Sequence, residues 1–143
     1  MERHKIQKIV LDSSVVIKWF SEEEGRQNAL ELRFDICEGR VVAFAPDLQF
    51  YEVANALKYN PEFSCTDIID ASSVLLDTKI NYTQSNFELI SKSVELAYKY
   101  SITVYDASFV ALALLNDCQM ITADKKLYEK VKQSGHTSLL GDT

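Results

Sequence analysis

The chain of 143 residues carries a net charge of −6, with 47% hydrophobic and 25% charged positions and only four Gly and two Pro. This describes one well-packed domain, residues 1–143, and excludes disordered, collagen-like and disulfide-framework chains. The longest apolar run, Phe109 to Leu115, is far below the ~20 residues of a membrane span, and the start MERHKIQKIVL lacks the features of a secretory signal, so a cytoplasmic protein without a membrane partner is expected.

Ile6 to Leu11 is short and β-branched and meets Asp12, which predicts a buried strand followed by a helix from Val15 to Phe20. SEEEG is a polar turn, Gln27 to Glu38 has helical spacing with Gly39 as its stop, and Val41 to Ala45 reads as a second strand. Pro46 suits the first turn of a helix that runs through LQFYEVANALKY to Tyr59, where Asn60 and Pro61 end it and Glu52 is interior. An amphipathic helix is expected from Thr66 to Leu76, a short strand near Lys79 to Tyr82, and a helix from Phe87 to Tyr100.

SITVY leads into Asp106 and the apolar helix ASFVALALLN. CQMIT reads as a strand ending at Ala123 and Asp124, KKLYEKVKQ as a helix closed by Gly135, and TSLL as a last edge strand. Strands alternating with helices imply an α/β fold, a three-layer α/β/α domain with a central, mostly parallel sheet.

Four acids stand beside apolar segments: Asp12 in IVLDSS, Glu52 in FYEVANAL, Asp106 in VYDASFVALAL and Asp124 in MITADKKL. An alternating α/β fold places its ligand-binding edge after its strands, where these acids can converge. Two carboxylates at ~4 Å repel by roughly 4 kcal/mol at an effective dielectric of about 20, so four together call for a cation. A hard divalent metal is the natural occupant.

Each acid has a plainer explanation. Asp12, Asp106 and Asp124 precede expected helices and can cap them, which is the better account of any one alone. Capping does not explain Glu52 between Phe50, Tyr51, Val53 and Ala54; its alternatives are a local pairing with Asn55 or a salt bridge to Lys18 or Lys58. Ser13, Ser14 and Thr122 put hydroxyls beside two of the acids.

Cys37, Cys65 and Cys118 are an odd number with apolar neighbours and are expected as reduced core thiols; His4 and His136 lie near the ends, against a His-rich metal site or a Ser/His/Asp triad. The acidic balance argues against broad nonspecific nucleic-acid binding. A local basic patch is compatible with it, from Lys125, Lys126, Lys130 and Lys132 after Asp124, and from Arg3, Lys5 and Lys8 near the first strand; a solvated helix face explains the lysines equally well.

DSSVVIKWF, APDLQFYEVANAL, YDASFVALAL and ITADKKL, in this order and at these separations, resemble the motifs of the PIN-domain family, and most closely its small VapC-type toxins. The resemblance spans Asp12 to about Lys130. It implies that Asp12, Glu52, Asp106 and Asp124 are catalytic and hold Mg²⁺ or Mn²⁺, with Asp12 and Asp106 as direct ligands and Glu52 and Asp124 at a second ion or at bound waters. Ser14, Asn55 and Thr122 are implied as supports behind them. It further implies a metal-dependent endoribonuclease leaving 5′-phosphate and 3′-hydroxyl ends, the toxin of a type II toxin–antitoxin pair, with RNA as substrate, a cognate antitoxin as partner and a homodimer as its assembly. A bound Mg²⁺ can activate water and polarise the scissile phosphate.

Three other readings stand beside it. The same acids could process RNA at a defined site. A Mg²⁺-binding phosphoacceptor domain fits less well, since it calls for an acidic pair after the first strand where this chain has Asp12 and two serines. A metal-free interaction module would use the acids as caps and salt-bridge partners.

Overall fold

The computed structural model describes residues 6–142. Its centre is a five-stranded sheet of order β3-β2-β1-β4-β5, built from β1 (Gln7–Leu11), β2 (Val41–Pro46), β3 (Ile80–Thr83), β4 (Gln119–Thr122) and β5 (Thr137–Leu139). Every pairing is parallel. β1 lies in the middle, so Ile9, Val10 and Leu11 are buried, as parallel strands covered on both faces must be.

Seven α-helices make the outer layers: α1 (Ser13–Phe20), α2 (Arg26–Cys37), α3 (Leu48–Lys58), α4 (Cys65–Asp77), α5 (Phe87–Tyr100), α6 (Val104–Leu115) and α7 (Lys125–Val131). α1 packs on α2 and α3, α3 on α4, and α5 on α6; the right-handed rule for parallel crossovers sets the helices between β1 and β3 on one face and those between β3 and β4, where the chain reverses direction, on the other. α6 is packed on β1, β2 and β4, and every residue from Ala107 to Ala113 is buried. This is the buried helix that its all-round apolar sequence implies. No helix among the described residues is long and apolar enough to cross a membrane.

The chain moves from β1 outward to β2 and β3, then returns to place β4 on the other side of β1. That reversal opens a crevice at the carboxyl ends of β1 and β4, the position where open α/β sheets bind ligands. Asp12 follows β1 and Asp124 follows β4 by two residues.

Three expectations are corrected. Pro46 is the last residue of β2, opposite Thr83, and does not open α3; it lies beyond Phe44, the last β2 residue paired with β1, where a missing N–H is tolerated. Asp106 does not precede its helix but lies in the first turn of α6, because Thr103 caps that helix by accepting the Asp106 N–H. Cys37 and Cys65 are exposed, at the end of α2 and the start of α4, and only Cys118 is buried. Arg3, His4 and Lys5 lie outside the described residues.

Candidate active site

Asp12 is 5% exposed, yet its side chain caps nothing. Ser14 Oγ and Thr122 Oγ1 both donate to its Oδ2, at 2.6 and 2.9 Å, leaving Oδ1 clear of both hydroxyls. Ser14 Oγ also accepts the Ala123 N–H at 2.9 Å, and Thr122 Oγ1 accepts the Asp124 N–H at 3.1 Å. Two hydroxyls therefore bind the end of β1 to the turn after β4, and the Asp12 N–H extends that joint by donating to Ile121 O at 3.0 Å.

Glu52 is half-buried on α3. Ser13 Oγ donates to its Oε1 at 2.8 Å. This takes the place of a salt bridge: Lys18 is engaged with Glu23 and the Glu24 carbonyl, and Lys58, six residues along α3, is exposed and unpaired among the described residues. α3 is itself anchored one turn before Glu52 by the fully buried Gln49. Its Nε2 donates to Leu11 O at 2.6 Å, and its Oε1 accepts from Tyr82 Oη at 2.8 Å.

Gln49 is the contributor that sequence reasoning missed; the sequence shows Ser13 as a hydroxyl beside Asp12, but not its pairing with Glu52. Ser13 had one usable signal: consecutive residues at a helix start project in different directions, so the Ser13 and Ser14 hydroxyls do not share one partner. Gln49 offered only its position one turn before Glu52.

Asp106 is half-buried near the N-terminus of α6. Asp124 caps α7, its Oδ1 accepting the Leu127 N–H at 3.0 Å. Capping thus describes Asp124 and fails for Asp12 and Asp106. Asn55 is exposed and lines a groove between α3 and α4 with Lys58, Phe63 and Ile68.

The acids sense one another. Burial pushes the Asp12 carboxyl upward, the Ser14 and Thr122 hydrogen bonds pull it back, and the Asp106 charge raises it again. Burial likewise raises Glu52 to about 6 against the Ser13 hydrogen bond, with Asp12 and Asp106 adding to it. Asp106 is raised by burial and by Asp124, and the Lys130 charge opposes this. The four form a linked set of charges and not a closed cage: among the described residues, no three His, Cys, Asp or Glu side chains are drawn together into a group that could hold one ion as they stand.

The donor chemistry fits a hard cation. Asp12 Oδ1, the second oxygens of Glu52 and Asp124, and the Asp106 carboxylate are oxygen donors without a lysine or arginine within ion-pairing distance among the described residues. Cys118 and His136 precede β4 and β5 and so stand at the opposite edge of the sheet. Carboxylates without imidazole or thiolate select Mg²⁺, Mn²⁺ or Ca²⁺ over zinc or copper.

Comparison with known proteins agrees with this architecture. The PIN domain family matches residues 9–133. Ribonuclease VapC3 of Pyrobaculum aerophilum is 31% identical over 127 residues, covering 86% of this chain and 94% of the relative. Among solved structures, Mycobacterium tuberculosis VapC20, described as a Sarcin-Ricin loop cleaving toxin, superposes with a TM-score of 0.69 at 14% identity, covering 85% of this chain and 93% of that one. A chain of a toxin-antitoxin complex from Klebsiella pneumoniae gives 0.63 at 22% identity, over 84% and 89%. On the extent of the family match and the identity to a VapC protein across nearly its whole length, the chain belongs to the PIN domain family, in its VapC branch.

Proposed function

We propose that the chain is a metal-dependent endoribonuclease, the toxin of a type II toxin–antitoxin pair, working through Asp12, Glu52, Asp106 and Asp124. The observation that carries the reading is the linkage of these acids across the crevice between β1 and β4, each raised carboxyl feeling at least one of the others. One buried and two half-buried carboxylates held against their own repulsion, with the exposed Asp124 beside Asp106, are a costly arrangement, and a bound cation offsets it. Asp12 and Asp106 are the direct ligands in this account, with Glu52 and Asp124 completing the set.

A bound Mg²⁺ or Mn²⁺ supplies an activated water and neutralises charge on the scissile phosphate. The rest falls to the chain. Ser14 and Thr122 hold Asp12 by Oδ2 and leave Oδ1 free of both hydroxyls, Ser13 fixes one oxygen of Glu52, and Gln49 ties α3 to the end of β1. Such partners behind metal ligands commonly control affinity or activity by 10–100-fold, as an order of magnitude.

A homodimer is proposed as well. Its support is the exposed stripe Phe87, Ile90, Val94 and Tyr98, which recurs at helical spacing along α5. Tyr51 and Tyr105, both exposed and each next to an acid, are suited to contact a base or an antitoxin segment.

The test is incubation of the purified protein with RNA and Mn²⁺ or Mg²⁺, followed by mapping of the new ends. Cleavage leaving 5′-phosphate and 3′-hydroxyl ends, lost with EDTA and in Asp106→Asn, is expected. Growth arrest on expression should be relieved by the same substitution. Cleavage that persists in EDTA contradicts the proposal.

A further inference from the structure

We infer that Lys126 and Lys130 form a phosphate-binding wall beside the acids and hold the backbone of the RNA strand there, an inference that rests on the ribonuclease reading above. A cleft of about 180 Å³ lies between the segment joining α5 to α6 and the helix α7. Ser101, Thr103, Asp106, Asp124, Lys126 and Lys130 line it. Lysines four apart on a helix share a face, so both ammonium groups border the same opening as two of the acids.

The other lysines of this segment are placed differently. Lys132 is held by Glu129 at 2.7 Å. Lys125 lines a separate cavity with Lys18, Glu24 and Asp142. Lys126 and Lys130 form no ion pair among the described residues, and the nearest acceptor of Lys130 is Ser101 O at 3.5 Å. Lys130 and Asp106 line the same cleft, and no ion pair within 4.0 Å joins them among the described residues.

A chain with a net charge of −6 repels a polyanion, and its acidic centre repels a phosphodiester most of all. A productive approach needs local positive charge that is free to move onto a phosphate, and an unpaired ammonium on a four-carbon stem provides it. The pair borders the crevice on the Asp106 and Asp124 side, so the strand they hold runs past the acids.

The experiment measures steady-state cleavage of a single-stranded oligoribonucleotide at saturating Mn²⁺ over a series of KCl concentrations. Wild type is compared with Lys126→Gln, Lys130→Gln and Lys130→Arg, and with Lys125→Gln and Lys132→Gln, which remove the same charge elsewhere on the segment. The expected result is a KM raised about 3- to 10-fold in Lys126→Gln and Lys130→Gln, with kcat within about twofold and the slope of log KM against log salt reduced by about 0.7 for each lysine. Lys130→Arg restores KM, and the two control variants match wild type.

Equal KM shifts in all four glutamine variants would overturn the inference, since net charge alone would account for them. So would a changed kcat or Mn²⁺ requirement with KM unmoved, which would make the lysines counter-charges to the acids. In both cases wild type still cuts RNA and the ribonuclease reading survives. If wild type cuts no RNA although Mn²⁺ raises its melting temperature, the ribonuclease reading fails and takes this inference with it.

Discussion

Ser13 and Glu52, 39 positions apart, are joined by a hydrogen bond of 2.8 Å that ties the first turn of α1 to the middle of α3. It is the only direct side-chain bond to Glu52 among the described residues, and it favours the charged carboxylate. Ser13→Ala should therefore raise the Glu52 pKa further above 6 and lower cleavage at neutral pH by about tenfold, with the acidic limb of the pH–rate profile moved upward. An unmoved acidic limb would detach Ser13 from Glu52 function.

Asp12→Asn keeps the side-chain shape while removing a charge that burial disfavours. Thermal stability without metal should be unchanged or higher, and RNA cleavage should fall by at least about a hundredfold. Loss of both stability and activity would instead mark Asp12 as a structural carboxylate. Differential scanning fluorimetry and the cleavage assay on one preparation separate the two outcomes.

The acids also set a pH dependence. Glu52 rises from 4.5 to about 6, so it binds its proton more tightly in the folded chain; its stabilising contribution is complete below 4.5 and is lost as pH climbs through about 6. The upward shifts of Asp12 and Asp106 act in the same direction. Without divalent metal, denaturation midpoints should fall as pH is raised from 4.5 to about 7, and Glu52→Gln should flatten the decline. With saturating Mg²⁺ the trend should reverse, since only ionised carboxylates bind the ion.

Thr122 Oγ1 serves two partners, donating to Asp12 and accepting from the Asp124 N–H. Thr122→Val preserves the shape and leaves both short of a bond at a fully buried position, at a cost of about 1–3 kcal/mol. A melting temperature lower by several degrees is expected, together with weaker metal binding. Ser14→Ala should act alike, and the double variant should fall short of the sum because the two hydroxyls share one carboxylate oxygen.

Local pattern made much of the fold legible. α5 occupies Phe87–Tyr100 as expected, with Asn86 capping it by accepting the Leu89 N–H, and the short β-branched runs before Asp12 and Asp124 are central strands. The errors arose where a side chain out-competed propensity. Ile102 to Tyr105 looks extended, yet the Thr103 cap and the burial of Ala107 to Ala113 start a helix within it, which moves Asp106 inside. Pro46 suits a helix start, but the pairing of β2 with β3 continues through it to Thr83.

Of the proposed site, all four acids were visible in the sequence, each beside an apolar segment. Their supports were less so, because Ser13 to Glu52 and Gln49 to Leu11 are tertiary contacts without a local signature. The lysine cluster was visible only as a cluster. Its division into Lys126 and Lys130 on the cleft, Lys125 on another cavity and Lys132 on Glu129 depends on the direction of α7.

The most direct measurement is thermal unfolding of wild type, Asp12→Asn and Asp106→Asn during titration with Mn²⁺. A ligand that binds only the folded chain stabilises it by RT ln(1 + [L]/Kd), about 2.7 kcal/mol at a hundred times Kd. Wild type should gain several degrees in melting temperature and both variants should gain little. No shift in wild type at millimolar Mn²⁺, or an equal shift in all three proteins, would contradict a divalent-metal centre built by these acids.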